Sequence, residues 1–349
     1  MTPLRLALAA LALGALVFLP IGCGDEGGET RNDFGPVSGE RARETTREIC
    51  QIGERTPGSE GIRQVAALIE SKLKEIDGSL VLNRQTFKDP KLAGTDWEDV
   101  EFQNLWCQIP GKDPENGPII IVAAHYDSKV THPGEQDFEF VGALDAAASC
   151  ATLIEIGRQV HQESALNANV WLVWFDGEES LPWTWNDEQA LIGSTWFAKN
   201  IAKEQNWPGK RLGSRLRSLV LLDLLGHEQL KIDKDVRSNG DLLDIALESA
   251  RELEMEDVMF QFELSPEFKD DHIPFQPYQI RVLDLIDFTG RIPAEHNPNY
   301  PLYDQIKDFD AWWHTEQDMF PKVSARSLDF IGNLVHRMLG KIDAKFCQN

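Results

Sequence analysis

The chain has 349 residues, of which 42% are hydrophobic and 26% are charged. This composition is typical of a globular protein and excludes collagen, a coiled coil or a disordered chain. It carries 57 acidic against 34 basic side chains, a formal net charge of -23. Such a surface repels phosphate backbones, which excludes nucleic acid as a partner, and its carboxylates suit a protein that holds a divalent cation.

The N-terminus has the dimensions of an export signal. An apolar run from Leu6 to Ile21 follows Arg5 and is shorter than the roughly 20 residues of a membrane-spanning helix. A glycine precedes Cys23 and a polar, glycine-rich stretch follows it, which resembles a bacterial lipoprotein signal. We predict a signal peptide over 1–22, a flexible tether over 23–37 and one globular domain over 38–349. The mature protein is expected to be secreted, or periplasmic or membrane-anchored through a lipid on Cys23.

Export permits disulfide bonds. Cys50, Cys107, Cys150 and Cys347 allow three complete pairings, and the sequence does not choose among them. A bridge between Cys50 and Cys347 would tie the two ends of the domain together. The alternative is that the cysteines are small buried apolar residues.

Hydrophobic patterning predicts the elements of this domain in chain order. The first predicted helix covers 38–52. A turn at 55–61 leads into a second helix that ends at 74, and strands over 80–87, 100–109 and 119–124 follow. Helices and strands then alternate: helix 146–159, strand 170–175, helix 188–203, strand 219–225, helix 242–253, strand 281–286 and helix 324–345. This alternation predicts a single α/β/α domain with a mostly parallel, mixed central sheet.

Acidic and imidazole side chains follow several of the predicted strands. His125 and Asp127 end one strand, Glu178 and Glu179 follow the next, and Asp223 and Asp284 belong to two more. Asp145 lies at the start of a helix, and His314 lies in a Trp-Trp-His-Thr segment near the C-terminus. Because parallel strands end at one edge of a sheet, these groups are expected to converge.

Converging carboxylates repel one another unless a cation lies between them. Aspartate, glutamate and histidine are the ligands of catalytic Zn²⁺, which keeps three protein ligands and an open position. Of two consecutive glutamates, one can bind the metal while the other faces a substrate as general acid and base. The alternative for each single acid is a solvated surface charge or a helix cap.

Six motifs in chain order resemble the glutaminyl-peptide cyclotransferase family, which is related in fold to the bacterial zinc aminopeptidases. They are His125-Tyr-Asp-Ser-Lys129, Gly142-Ala-Leu-Asp145, Phe175-Asp-Gly-Glu-Glu179, Leu222-Asp-Leu-Leu-Gly226, Asp270-Asp-His-Ile-Pro-Phe275 and Trp313-His-Thr315. The resemblance covers roughly residues 47–345. It implies a zinc-aminopeptidase-like fold and a monomer.

The resemblance also assigns roles by position. It implies that one zinc ion is held by Asp145, Glu179 and His314, and that Glu178 is the general acid and base. Asp223 and Asp270 match acids that hydrogen-bond around that glutamate and the departing nitrogen. Phe309 and Trp313 match pocket-lining aromatic residues, as does one tryptophan after the glutamate pair, where Trp185 is favoured and Trp183 stays open. The alternative for these aromatic residues is ordinary packing in the core.

The activity that the resemblance implies is conversion of the N-terminal glutamine of peptides or proteins to pyroglutamate, with loss of ammonia. Three positions depart from the animal enzymes: Asp284 stands in place of histidine, Ala146 in place of serine, and Ala124 in place of a cysteine that would pair with Cys150. The first two replacements alter the network around the site. The third implies that the local disulfide is absent.

Two rival functions use the same residues. A two-zinc aminopeptidase would hold a second metal with His125, Asp145 and Asp223, and would hydrolyse N-terminal residues. A zinc-holding lipoprotein that binds peptides without catalysis would be marked by loss of Glu178, which is present. Trp313 and the tryptophan-bearing loop after Glu179 favour the cyclase.

Overall fold

A computed structural model of the chain describes residues 34–163, 166–203, 212–262, 267–293 and 309–348. The predicted signal peptide and Cys23 lie outside these residues. Residues 34–37, placed in the predicted tether, are packed on the body of the protein: Phe34 stacks edge-on against Phe330 at 5.6 Å, and the backbone N–H of Val37 donates to Asn333. Residues 34–37, the last part of the predicted flexible tether, therefore have a fixed structure.

Six strands form one mixed sheet. They are β1 Asn83–Phe87, β2 Phe102–Ile109, β3 Ile119–His125, β4 Asn169–Phe175, β5 Leu216–Asp223 and β6 Arg281–Ile286. Their order across the sheet is β1-β2-β4-β3-β5-β6. The strands β4, β3, β5 and β6 run parallel to one another. In contrast, β1 pairs antiparallel with β2, and β2 pairs antiparallel with β4. The predicted mostly parallel, mixed sheet is confirmed.

Helices cover both faces of this sheet. They are α1 Gly39–Ile52, α2 Glu60–Ile76, α3 Ala148–Glu163, α4 Ile192–Lys203, α5 Gly240–Glu252 and α6 Ala325–Phe346. Alternate residues of each parallel strand enter two separate cores, as successive side chains of a strand must. Val122 and Leu172 pack with α1, α2, α3, α5 and α6, whereas Ile121 and Val173 pack with α4. The α/β/α architecture follows from this burial on both faces.

Several element boundaries differ from the prediction because single residues have backbone conformations that end or delay an element. The helix predicted over 188–203 begins at Ile192, because Leu191 has a φ of 52°, outside the helical region. The strand predicted over 219–225 runs from Leu216 to Asp223 and stops where Leu224 has a φ of 52°. That early stop leaves Asp223 as the last residue of β5.

The four cysteines of the described residues are free thiols, Cys50 half-buried and Cys107, Cys150 and Cys347 buried. A bridge between Cys50 and Cys347 is therefore not formed, and the alternative of buried apolar residues describes them better. The Cys150 thiol donates to the carbonyl of His125 at 2.9 Å. Among the described helices, none combines the length and the apolar character that crossing a membrane requires.

A buried carboxyl group beside the end of β6 gives a testable stability prediction. Asp233 is wholly buried, and one of its oxygens accepts from the N–H groups of Phe288 and Thr289. Burial, together with repulsion from Asp287, raises its pKa to about 7. Because the unfolded value is about 3.9, the native state binds this proton more tightly and its stability falls as the pH rises between these values.

We expect Asp233→Asn to raise the melting temperature at about pH 8 by about 3 °C, and by less at about pH 5. Asparagine keeps an oxygen acceptor for the two N–H groups and removes the charge. Thermal unfolding at the two pH values measures the difference. Asp244→Asn, at an exposed position, is the matched control, and an equal effect of both substitutions at both pH values would contradict the assignment.

Candidate metal centre and active site

The candidate site lies at the edge of the sheet where the parallel strands end. His125 is the last residue of β3 and lies opposite Phe175, the last residue of β4. Asp223 is the last residue of β5 and pairs with Ile286 at the end of β6. Since Glu178 and Glu179 follow β4 directly, strands that are distant in sequence bring these side chains to one place.

Asp145, Glu179 and His314 form one group of ligand atoms. One atom from each residue lies within 4.8 Å of the others. His314 Nε2 is 3.1 Å from Glu179 Oε1 and 3.5 Å from Asp145 Oδ2. These are the three residues that the resemblance assigned to zinc, and they come from a turn before α3, the loop after β4 and the segment before α6.

A second group of ligand atoms shares Asp145 with the first. His125 Nε2 is 3.2 Å from Asp145 Oδ1 and 3.2 Å from Asp223 Oδ1. All three residues are buried. The other ring nitrogen of His125, Nδ1, is 3.3 Å from Asp127 Oδ1. Asp145 therefore stands between two groups, each of which could hold a cation.

An irregular turn places Asp145 between these groups. Gly142 opens the turn with a φ of 56°, and a Cβ at this position would lie 2.0 Å from the Asp145 carbonyl oxygen, so only glycine fits. Residues 143–147 form a single π-helical turn before α3, in which Asp145 is not helical. Asp318 accepts from the backbone N–H groups of Leu144 and Asp145 at 2.7 and 3.1 Å.

Two further residues support the glutamate pair, and sequence reasoning assigned neither of them a role. Asp127 accepts from the backbone N–H groups of Glu178 and Glu179, each at 3.3 Å. Lys129, 1% exposed, places Nζ 3.4 Å from Glu179 Oε2 and donates to the carbonyl of Ser180. The feature of the sequence that could have pointed to both residues is that they belong to the His125–Lys129 motif. A further support, Asp318, lies four residues after His314 and had no such signal.

The two consecutive glutamates have opposite electrostatic environments. Burial would raise the pKa of Glu179, but His314 and Lys129 lower it below its ordinary value. The pKa of Glu178 is raised well above its ordinary value by burial and by the carboxylates of Asp270 and Glu179, against an opposing effect of His125. Glu179 is thereby held ionised beside His314, whereas the protonated form of Glu178 is favoured. Such a difference suits one glutamate that binds a metal and one that exchanges protons.

Further buried acids lie behind this edge of the sheet, and one of them, Asp270, acts on Glu178. Burial and the neighbouring Asp223 and Asp271 raise the pKa of Asp270 well above its ordinary value. Asp284, at a position where the resemblance noted a departure, is wholly buried. One of its oxygens lies 3.8 Å from His272 Nδ1, and the other ring nitrogen of His272 is 3.2 Å from Asp235. Asp235, His272 and Asp284 thus form a third buried group beyond the two that share Asp145.

Aromatic rings enclose His314. Trp313 stacks on it with ring centroids 4.0 Å apart, and Trp183 lies 5.7 Å away at a tilt of 48°. Phe140 contacts it edge-on at 5.7 Å. Of the two tryptophans that the sequence left open, Trp183 is the one beside His314.

Trp185 and Phe309 are the two other aromatic residues predicted for the pocket. Trp185 is 37% exposed, and its indole N–H donates to Asp187 at 2.7 Å. The geometry therefore favours Trp183 over Trp185 for the position beside the metal group. Phe309 packs closely over Gly290, two residues from Phe288, whose ring meets Trp313 at 4.9 Å.

The residues of the first group fit a zinc ion. Two carboxylates and one imidazole are a donor set that zinc accepts. Burial and repulsion from Glu179 raise the pKa of Asp145 to about 6, so the two carboxylates crowd each other where a cation would relieve the repulsion. The same argument applies to the group around His125.

Comparisons with known proteins agree with this geometry. The family model of peptidase family M28 matches residues 104–339. A glutaminyl-peptide cyclotransferase of Bos taurus is 32% identical over 185 residues, 50% of this chain and 49% of the bovine protein. The chain therefore matches about half the length of that relative. A glutaminyl-peptide cyclotransferase of Boiga irregularis is 26% identical over 306 residues, 81% of this chain and 76% of the snake protein.

Among solved structures, the chain is similar to the crystal structure of a glutaminyl cyclase from an Acidobacteriales bacterium. The TM-score is 0.72 at 26% sequence identity, and the match covers 97% of this chain and 100% of the other. The predicted fold class is confirmed by this similarity.

Proposed function

The chain belongs to peptidase family M28, and we propose that within this family it is a zinc-dependent glutaminyl-peptide cyclotransferase. Such an enzyme converts the N-terminal glutamine of a peptide or protein to pyroglutamate. The α-amino nitrogen bonds to the side-chain carboxamide carbon, the bond from that carbon to the side-chain nitrogen breaks, and ammonia leaves. The observation that carries the proposal is the aromatic enclosure of His314 by Trp313 and Trp183, with Glu179 3.1 Å from its Nε2.

Asp145, Glu179 and His314 would hold the zinc ion. When bound, zinc acts as a Lewis acid that polarises a carboxamide oxygen and stabilises the negative charge that develops there. Lys129 and Asp127 keep the loop of Glu179 in place by an ion pair and by accepting its backbone N–H. Asp318 accepts the backbone N–H of Asp145 and so keeps the turn of Asp145 in place.

Glu178 is the residue that moves protons in this proposal. It is 8% exposed, whereas Glu179 is 2% exposed, so Glu178 is the more accessible of the two to a ligand. Its carboxylate can accept a proton from the attacking amine and return one to the leaving nitrogen, and its raised pKa favours the protonated form between these two steps. Asp270, which contributes to that raised pKa, helps to keep the proton on Glu178 until it is needed.

The rings of Trp183 and Trp313 would orient the substrate. The attack is intramolecular, so a wall that holds the glutamine side chain folded over its own amine removes much of the entropic barrier. Both rings already touch His314 and limit the water that reaches it. Exclusion of water favours cyclisation over hydrolysis of the same carboxamide.

We expect the zinc-loaded protein to release ammonia from dipeptides that begin with glutamine and to leave leucine anilides intact. A coupled ammonia assay and an anilide assay on the same preparation measure the two activities. Dipeptides that begin with asparagine are the matched control, because the shorter side chain cannot close the same five-membered ring. Hydrolysis of the anilide without ammonia release would contradict the proposal.

A two-zinc aminopeptidase is the second candidate, and the group of His125, Asp145 and Asp223 supports it. Its ligand atoms lie as close together as those of the first group. The number of zinc ions per chain in the active protein separates the candidates, since the cyclase is expected to need one and the aminopeptidase two. Elemental analysis of zinc against protein concentration gives that number.

We further propose that the protein is exported and acts on peptides or proteins as a monomer. Support comes from the apolar run over 6–21 and the Gly-Cys pair that ends it. A lipid on Cys23 would be its attachment to the membrane, and without that lipid the protein would be periplasmic or secreted. The four buried or half-buried thiols show that the described fold does not depend on disulfide bonds.

A further inference from the structure

A buried arginine lies beside the end of β3 and has no ion-pair partner among the residues that the structure describes. Arg55 belongs to the segment between α1 and α2 and is wholly buried. Its guanidinium donates to four backbone carbonyls, those of Gly53, Tyr126, Val141 and Gly142. Because buried charges are ordinarily paired with an opposite charge, an arginine that is bonded to carbonyls instead indicates that the position of those carbonyls matters.

Three of these carbonyls belong to the two segments that carry His125 and Asp145. Tyr126 follows His125 at the end of β3, and its oxygen is 3.2 Å from Arg55 Nε. Gly142 opens the turn of Asp145, and its oxygen is 3.0 Å from Arg55 Nη2. Since a guanidinium is planar and holds its donors in a fixed fork, Arg55 sets the distance between the strand end and the turn.

The backbone of Arg55 is fixed to the same strand end. Its N–H donates to Ser128 Oγ at 2.9 Å, and its carbonyl accepts from the backbone N–H of Ser128 at 3.3 Å. Ser128 is wholly buried and lies between Asp127 and Lys129, which support the glutamate pair. The guanidinium therefore starts from a fixed point when it reaches across to the turn.

The distance that Arg55 sets concerns both ligand groups, because Asp145 belongs to both. Asp145 Oδ1 is 3.2 Å from His125 Nε2, and Asp145 Oδ2 is 3.5 Å from His314 Nε2. Gly142 lies only three residues before Asp145 in an irregular turn. A movement of the Gly142 carbonyl away from Arg55 would therefore move the carboxylate that stands between the two groups.

The turn has a second support at its other polar groups. Asp318 accepts from the backbone N–H groups of Leu144 and Asp145. Burial and repulsion from Asp145 raise the pKa of Asp318 to about 8, and the positive charge of Arg55 opposes this rise. The turn is thus held by a buried cation at its carbonyls and by a buried carboxyl group at its N–H groups.

We propose that Arg55 is a positioning residue of the metal centre, which holds Asp145 where the other two ligands of the first group can share an ion with it. This inference rests on the proposed function, since it takes the first ligand group as the zinc site. Arg55 is not itself a ligand and acts through the backbone of the turn. Residues that orient metal ligands typically contribute roughly 10–100-fold in metal affinity.

The test compares Arg55→Lys with Arg215→Lys. Lysine keeps the positive charge but lacks the planar fork that reaches two segments at once. Arg215 is the matched control, because it is also buried, at 1% exposed, and also donates to backbone carbonyls, those of Pro114 and Gly117. It directly precedes β5 and so lies at the opposite end of that strand from Asp223.

Zinc affinity is measured by competition with a chromophoric chelator, at a temperature at which the variants are folded. We expect Arg55→Lys to bind zinc about 10–100-fold more weakly and Arg215→Lys to bind it as the wild-type protein does. In the metal-free proteins, hydrogen exchange of the segment 142–147 is expected to be faster in Arg55→Lys alone, because that segment opens more readily.

Ser128→Ala keeps the test decisive if Arg55→Lys does not fold. This substitution removes the acceptor of the Arg55 N–H and leaves the guanidinium in the chain. We expect it to weaken zinc binding by up to about tenfold, the effect of one hydrogen bond.

The outcomes separate this proposal from the proposed function. If the wild-type protein binds no zinc or releases no ammonia from glutaminyl dipeptides, the proposed function itself is wrong. If the wild-type protein does both, but Arg55→Lys, or Ser128→Ala in its place, keeps the wild-type zinc affinity, Arg55 does not position the metal centre. An equal loss of affinity in Arg215→Lys, or unchanged exchange of 142–147 in Arg55→Lys, would also overturn the proposal. A loss of zinc affinity that Arg215→Lys does not share supports it.

Discussion

Replacement of Glu178 by glutamine is expected to lower kcat for glutaminyl dipeptides by roughly 10²–10⁴-fold, the contribution of general acid–base catalysis. Glutamine has nearly the same shape but cannot exchange a proton. The group that loses this capacity is the one whose pKa is raised by burial, Asp270 and Glu179. The zinc content is expected to stay that of the unchanged protein, because Glu178 is not a member of the first ligand group.

Glu179→Gln is the matched control for this experiment. The two positions are adjacent, so both substitutions place the same amide in the same loop, but only Glu179 lies 3.1 Å from His314 Nε2. We expect Glu179→Gln to lose both zinc and activity, and Glu178→Gln to lose activity alone. Full activity of Glu178→Gln, or loss of zinc from it, would contradict the division of roles between the two glutamates.

The strands themselves and the mostly parallel, mixed character of the sheet could be predicted because their signals are local. The uninterrupted apolar run at β3 and its neighbours indicates burial on both faces, and the observed register places His125 and Asp223 where parallel strands end. Sequence reasoning could bring those residues to one edge, since that edge is a property of the fold. It could not give distances, because those depend on turns such as the one opened by Gly142.

The conformation of the loop after Glu179 could not be predicted from the sequence. The choice between Trp183 and Trp185 depends on how the chain turns between Glu179 and α4, and this turn is held by non-local bonds. Leu181 N–H donates to the carbonyl of Gln189, and Leu191 N–H donates to that of Glu178. No periodicity encodes such bonds, so counting from a neighbouring motif favoured the more exposed tryptophan.

Buried acceptors for backbone N–H groups were missed for a related reason. Asp318 reads in sequence as an ordinary acid near a histidine, and Asp127 was expected at the site but not as an acceptor for backbone N–H groups. Their role becomes visible only when the turn of Asp145 and the loop of Glu178 lie against them. Sequence patterns identify the residues that meet a metal or substrate more readily than those that hold them in place.

Substitution of His314 is expected to remove zinc from the protein. His314 is the only nitrogen donor of the first ligand group, and loss of an outer-shell partner alone typically costs roughly 10–100-fold in metal affinity, so loss of the ligand itself should cost more. Its backbone has a φ of 52°, a conformation that asparagine tolerates better than alanine. His314→Asn is therefore the main variant, and His314→Ala accompanies it.

Zinc content after dialysis and thermal unfolding with and without added zinc measure the effect. Wild-type protein is expected to melt at a higher temperature with zinc, as a ligand that binds only the native state requires, and His314→Asn should show little or no such shift. His336→Asn, remote from the site and paired with Glu163, is the control and should keep both zinc and the shift. Retention of zinc and activity by His314→Asn would mean that Asp145, Glu179 and His314 do not share an ion, and the proposed chemistry would lose its metal.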